Sequence, residues 1–291
     1  MTEAEFRPAI IIGAGRSGTK FLRGVLAASK AAATVPYDVN YIWRQGNEDA
    51  VSDDLDPASC TPAVAGAIRA GLLRQAGLSP EHPQGVLLEK SVPNTLRVPF
   101  VARVFPEARF IHLVRDGRDV VESAYRNWTA RPDFSYLLRK ARTFPLSNWR
   151  YALWYARHVL VGKSGGGRRA RTWGPRYRGI DEDLQALPLE VVVGRQWVRC
   201  VEAAREALAG MPADQVLEVR YEDLVGSTEP VERAARFLEL PDADSVVSRY
   251  REQLSAPKPR EGWQKTFTED QRRQILGEIR PLLSSLGYET E

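Results

Sequence analysis

Pro8-Ala9-Ile10-Ile11-Ile12-Gly13-Ala14-Gly15-Arg16-Ser17-Gly18-Thr19-Lys20-Phe21-Leu22 is an apolar run, then a loop holding three glycines, then the spacing Phe21-Leu22-x-x-Val25-Leu26. The run is rich in β-branched residues and reads as a buried strand over 9–13. The spacing after the loop predicts a helix over 18–29. Strand, glycine loop and helix together make an anion site, because consecutive backbone N–H groups wrap a phosphate and the helix N-terminus adds partial positive charge.

The loop departs from the Walker A pattern, in which lysine directly follows the second glycine of G-x-x-x-x-G-K-[ST]. Gly13 and Gly18 keep the spacing, but Thr19 follows and Lys20 comes one position later. One residue turns a helical side chain by about 100°, so Lys20 points away from the nucleotide-gripping position. The hydroxyl that would hold Mg²⁺ is replaced by Phe21. Arg16 instead puts a cation inside the loop.

Further along the chain, Arg109-Phe110-Ile111-His112-Leu113-Val114 predicts a second buried strand, and Asp119-Val120-Val121 opens a helix over 118–128 with acids in its first turn. Arg115 then lies at the strand's carboxyl end, where open α/β sheets bind ligands, and Ser123 comes eight residues later. An Arg and a Ser so spaced can grip one phosphate from two sides. Further strands are expected at 86–89 and 215–220. Helices are expected at 62–76, 94–104, 192–210, 229–239, about 243–254 and 268–286, with loops at 46–62 and before the last helix. Alternating strands and helices imply a three-layer αβα fold around a parallel sheet with right-handed crossovers.

Of the 41 basic residues only seven are lysines (20, 30, 90, 140, 163, 258 and 265), and the net charge is +4. A cationic surface suits an anionic ligand. At 291 residues and 43% apolar, the chain can bury a full core, and a single domain over 1–291 is expected. Residues 129–190 stand apart as an insertion, first aromatic (Trp149, Tyr151, Trp154, Tyr155), then glycine- and arginine-rich (163–171). They read as an acceptor-binding lid or, equally, as a helix packed on the core and then a solvated basic loop. No apolar run approaches the ~20 residues that span a bilayer, and Met1-Thr2-Glu3-Ala4-Glu5 does not open a signal peptide. Cys60 and Cys200 match no disulfide framework or metal spacing, and the three histidines leave little room for zinc. A soluble protein of the reducing cytoplasm is expected, with no metal.

The pattern Gly13-x-x-Arg16-Ser17-Gly18-Thr19 resembles the 5′-phosphosulfate loop of sulfotransferases, and Arg115 with Ser123 resembles their 3′-phosphate motif. Glu89-Lys90-Ser91-Val92-Pro93-Asn94-Thr95-Leu96 is similar to the middle of carbohydrate and tyrosylprotein sulfotransferases. The resemblance implies 3′-phosphoadenosine 5′-phosphosulfate (PAPS) as donor and 3′,5′-adenosine bisphosphate (PAP) as product. It implies that Gly15, Arg16, Ser17, Gly18, Thr19, Lys20 and Phe21 bind the 5′-phosphate and that Lys90 steadies the sulfonate. Family members supply a carboxylate or histidine as base. Here the tyrosylprotein-type position falls near Tyr37-Asp38, making Asp38 the first candidate and Glu89 the second, while His112 reads as core. Tyr221, in Tyr221-Glu222-Asp223-Leu224, is expected against the adenine or, nearly as well, as a buried bridge. Lys258, Gly262, Trp263 and Lys265 resemble the loop that closes over the 3′-phosphate. The acceptor is expected to be a small-molecule or glycan hydroxyl, anionic in some cases, rather than nucleic acid. The competing readings are a P-loop nucleotide kinase, a nucleic-acid binder using the arginine-rich segment, and a nucleotide-binding protein without catalysis.

Overall fold

The sheet takes its direction from the first strand. In the computed structural model, which describes residues 6–130, 173–254 and 261–289, five strands run parallel: β1 (Arg7–Ile12), β2 (Ala32–Thr34), β3 (Val86–Glu89), β4 (Arg109–Val114) and β5 (Val216–Arg220). Their order is β2-β3-β1-β4-β5, with Ile10 level with Glu89 and Ile12 level with His112. Strand side chains alternate between faces, and β1 shows both cores. Ala9 and Ile11 join Leu22 and Val25 of α1 (Thr19–Leu26), with α9 (Glu229–Phe237) and α10 (Ala243–Gln253). Ile10 and Ile12 join α3 (Pro62–Gln75), α4 (Val98–Val104) and the end of α7 (Leu189–Ala209). A further cluster joins α5 (Gly117–Thr129), α7 and α12 (Glu269–Ser285). This is the expected αβα sandwich.

From β1 the chain goes first to β2 and β3 on one side, then crosses to β4 and β5 on the other. The connections therefore diverge beside the carboxyl end of β1, and such a switch point opens a crevice above the sheet.

Several elements differ from expectation. β2 is a three-residue edge strand whose Ala-Ala-Thr carries too little apolar signal to stand out. Asn40–Trp43 forms one helical turn, α2, where no element was expected. The expected helix 94–104 opens as a 3₁₀ segment, Val92–Leu96, and turns α-helical only at Val98, because Pro93 and Pro99 lack the N–H that a continuous helix needs. α6 (Ile180–Ala186) lies within the expected insertion, α8 (Tyr221–Gly226) follows β5 directly, and α11 (Glu261–Thr266) replaces the expected polar loop. The last helix starts where a capping box places it: Thr268 Oγ1 accepts from the Gln271 N–H, and Gln271 Oε1 accepts from the Thr268 N–H. Among the described residues no helix is long and apolar enough to cross a membrane.

His112 is buried in β4, as expected of a core histidine, with Nδ1 3.3 Å from Glu218 Oε2. That hydrogen bond holds the Glu218 carboxyl below the usual carboxylate range. A lowered folded pKa gives stability that is present above the unfolded value of ~4.3 and fades as pH falls through the folded value. Glu218→Gln should therefore lose less stability than the wild type between pH 5 and pH 3, read as the change in Tm; equal losses would refute the coupling.

Candidate functional site

The site is built from the segments that leave the carboxyl ends of β1, β3 and β4. After β1, the chain turns through Gly13 to Gly18, and Arg16 adopts a left-handed φ of 79°, a conformation a non-glycine residue holds only at a cost. Arg115, the residue after β4, donates from Nη1 to the Arg16 carbonyl at 3.0 Å and so fixes that turn. Thr95 Oγ1 accepts from the Gly13 N–H and donates to the Gly13 carbonyl, both at 3.1 Å. The loop is thus braced before any ligand arrives. Ser17 Oγ is fully buried and has no hydrogen-bond partner among the described residues. A buried orphan hydroxyl is costly, and in a phosphate-type loop an anion would satisfy it.

Arg16 Nε donates to Ser123 Oγ at 2.9 Å, joining the first loop to α5 across the crevice. Burial, and after it the neighbouring charges of Arg115 and Arg126, push the Arg16 guanidinium below the usual arginine range. Arg126 pairs with Glu122 at 2.9 Å. The cluster therefore holds more positive than negative charge around one serine, an arrangement that favours a polyanion. Arg115 also lies over the Tyr221 ring, 4.2 Å from its centroid, and that ring packs against Gly18.

Beyond β3, Lys90 Nζ meets Asp38 Oδ1 at 2.5 Å. The lysine side chain is nearly buried, whereas that of Asp38 is 37% exposed, so the carboxylate forms the outer half of the pair. Glu89, by contrast, is fully buried. Ser91 donates to one of its oxygens at 2.5 Å and Asn94 to the other at 2.9 Å, and burial pushes its carboxyl up. These two partners are a serine and an amide rather than an arginine.

The remaining expected residues divide. Lys20 is exposed and Thr19 is buried in the first turn of α1. Phe21 packs edge-on against Tyr250, with ring centroids 6.0 Å apart. Gly262 and Trp263 lie on a helix rather than a loop, which corrects that expectation. A Cβ on Gly262 would come 3.1 Å from the Glu122 carboxyl carbon, and Trp263 is buried against Phe267. Lys265 is exposed on the same helix, and Lys258 lies outside the described residues. Of the 129–190 stretch, residues 131–172 also lie outside them. The end of that stretch is packed into the fold, with Tyr177 and Ile180 buried and Trp173 lying over Gly15.

Thr95, Arg126 and Trp173 escaped sequence reasoning. Thr95 alone left a trace, as a polar residue within the otherwise matched segment from Glu89 to Leu96. Among the described residues no three His, Cys, Asp or Glu side chains are grouped so as to hold a metal ion.

Residues 8–163 match the sequence profile described as "Sulfotransferase family", and residues 95–284 that described as "Sulfotransferase domain". The chain belongs to the sulfotransferase family. Solved sulfotransferases share its fold at low identity. One from Alicyclobacillus acidocaldarius is 15% identical with a TM-score of 0.50, covering 99% of this chain and 98% of that one. The sulfotransferase domain of the Synechococcus PCC 7002 olefin synthase is 17% identical with a TM-score of 0.51, covering 99% and 98%. One from Mycobacterium avium is 13% identical with a TM-score of 0.53, covering 97% and 77%. No curated protein matches this sulfotransferase at the sequence level.

Proposed function

We propose that this sulfotransferase moves a sulfonate from PAPS to a hydroxyl of a carbohydrate or glycoconjugate, as a single domain working in the cytoplasm. The observation that carries the donor assignment is the Arg16–Ser123 contact at 2.9 Å, which unites the glycine loop and α5 at the switch point. The orphan Ser17 hydroxyl and the braced loop fit the donor's 5′-phosphate.

PAPS, when bound, supplies the electrophilic sulfonate. The amides of residues 15–20 and the Arg16 guanidinium hold the 5′-phosphate, while Arg115 and Ser123 hold the 3′-phosphate, with Lys258, Gly262, Trp263 and Lys265 closing nearby. Tyr221 supports the adenine. Lys90 neutralises charge on the transferring oxygens, and with Arg16 it supplies the positive charge that displacement needs, so no metal is required in this scheme. Asp38 is the base, accepting the hydroxyl proton at a carboxylate oxygen. Glu89 is set aside for this role because both its oxygens already accept hydrogen bonds inside the core. The 129–190 stretch forms the acceptor side, with Trp173 at the edge of the loop. Two buried, unpaired cysteines suit a reducing compartment.

Sulfur-35-labelled PAPS, incubated with glycans, tyrosine peptides and lipid head groups in parallel, tests the acceptor class; label entering peptide or lipid but no glycan would overturn the carbohydrate assignment. With a glycan acceptor, Asp38→Asn is expected to lower kcat by about 10²-fold or more. An unchanged rate would remove Asp38 as the base.

A further inference from the structure

Glu89 is an acidic residue with no solvent exposure one position before Lys90, and it takes no part in the transfer proposed for this site. Both of its arms lead to residues just after Asp38 in the chain. On the first, Ser91 Oγ donates to Glu89 Oε1 at 2.5 Å and accepts the Val39 backbone N–H at 3.1 Å. On the second, Asn94 Nδ2 donates to Glu89 Oε2 at 2.9 Å, Arg97 Nε donates to Asn94 Oδ1 at 2.9 Å, and Arg97 Nη2 donates to Asn40 Oδ1 at 2.6 Å. The far end is anchored where Asp53 accepts from Asn40 at 3.0 Å and from Arg44 at 3.1 Å. Upstream, Arg23 of α1 donates to the Val35 and Pro36 carbonyls at 2.7 and 3.1 Å. The chain on either side of Asp38 is therefore pinned, and Lys90 hangs from the same strand end that carries Glu89.

We propose that Glu89, Ser91, Asn94 and Arg97 form a buried relay that fixes Asp38 against Lys90, with Glu89 and Ser91 as positioning residues for sulfonate transfer. Buried polar networks are rigid in proportion to how fully their members are satisfied. Here Glu89, Ser91 and Asn94 are hydrogen-bonded as above, and Arg97 adds an ion pair from Nη1 to Asp53 at 3.8 Å. Asp38 is partly exposed and its close cationic partner is Lys90, so its placement depends on the backbone that carries it. The link to transfer rests on the roles proposed for Lys90 and Asp38, whereas the relay itself does not.

Two readouts separate the relay from its link to transfer. Lysine acylation by acetic anhydride, resolved by peptide mass spectrometry with exposed Lys20 as internal reference, reads the Lys90–Asp38 pair without any turnover. In Ser91→Ala the Lys90 rate should rise about five-fold, the population shift for one lost hydrogen bond. Asn40→Ala cuts the second arm at a half-buried position and carries the same expectation should Ser91→Ala fail to fold. An unchanged Lys90 rate in a folded variant overturns the relay. With PAPS and a glycan acceptor, kcat should fall about ten-fold while the thermal shift given by PAP is kept, since misplacement acts on the reacting pair and not on donor binding. Faster labelling with wild-type kcat would overturn the link to transfer and leave the relay standing. Failure of the wild type to bind PAP would overturn the donor assignment and leave the labelling result intact.

Discussion

Lys90→Ala is expected to lower the rate of sulfonate transfer by about 10²–10³-fold, the loss typical when a preorganised group that stabilises developing charge is removed. PAP affinity should change by less than about three-fold, because the donor's phosphates are assigned to Arg16, Arg115, Ser123 and the loop amides. Lys90 is nearly buried and ion-paired to a carboxylate that is 37% exposed. Truncating it leaves Asp38 with access to water, so the fold should lose little, and a Tm within a few degrees of wild type is the matching control. Single-turnover transfer from labelled PAPS separates the chemical step from binding. A variant that keeps the wild-type rate would remove Lys90 from the reaction.

The second large effect concerns backbone shape. Gly18→Ala should cost on the order of 2–3 kcal/mol of stability and weaken PAP binding by more than about ten-fold. Gly18 sits at the N-terminus of α1 with φ 94°, in the left-handed region, and a Cβ there would lie 2.5 Å from Tyr221 Cδ2. The ring is held beneath Arg115, 4.2 Å from centroid to guanidinium carbon, so it can retreat only by giving up that stack. Arg115 in turn fixes the Arg16 carbonyl, and the disturbance therefore reaches the loop's cation. Placing Gly18→Ala in a Tyr221→Ala background removes the clash but not the strained φ, and a double-mutant cycle by denaturant unfolding should show the alanine costing less there. Additive costs would mean that the ring does not confine Gly18.

Structure tied to regular local pattern was legible in the sequence. The apolar run of β1, the alternation in β4 and the glycine spacing placed the sheet and the loop, because each reflects a period or a backbone freedom that one segment carries alone. Arg115 and Ser123 were legible because a strand end and a helix fix their separation. Asp38 and Lys90 were singled out separately and only through a resemblance, and neither their ion pair nor the contacts around it could be read from the sequence. Ser91 and Arg97 reach Val39 and Asn40, which lie 52 and 57 positions away in sequence, and nothing local marks such partners. Trp173 was hidden for the same reason, since its place over Gly15 depends on how the chain returns from a distant segment. α11 was missed because glycine and a run of polar residues suggest a loop, whereas packing of Gly262 against Glu122 and of Trp263 against Phe267 favours a helix. Tertiary contact outweighed propensity there.

If the glycine loop and α5 form one PAP-shaped site, thermal unfolding with PAP in EDTA, set against ATP with Mg²⁺, will reveal it. At about 100 times its dissociation constant a ligand adds about 2.7 kcal/mol, a rise of several degrees for a domain of this size. PAP in EDTA should give that rise, and Arg16→Ala and Ser123→Ala should each diminish it. A rise with ATP and Mg²⁺ but none with PAP would refute the donor site.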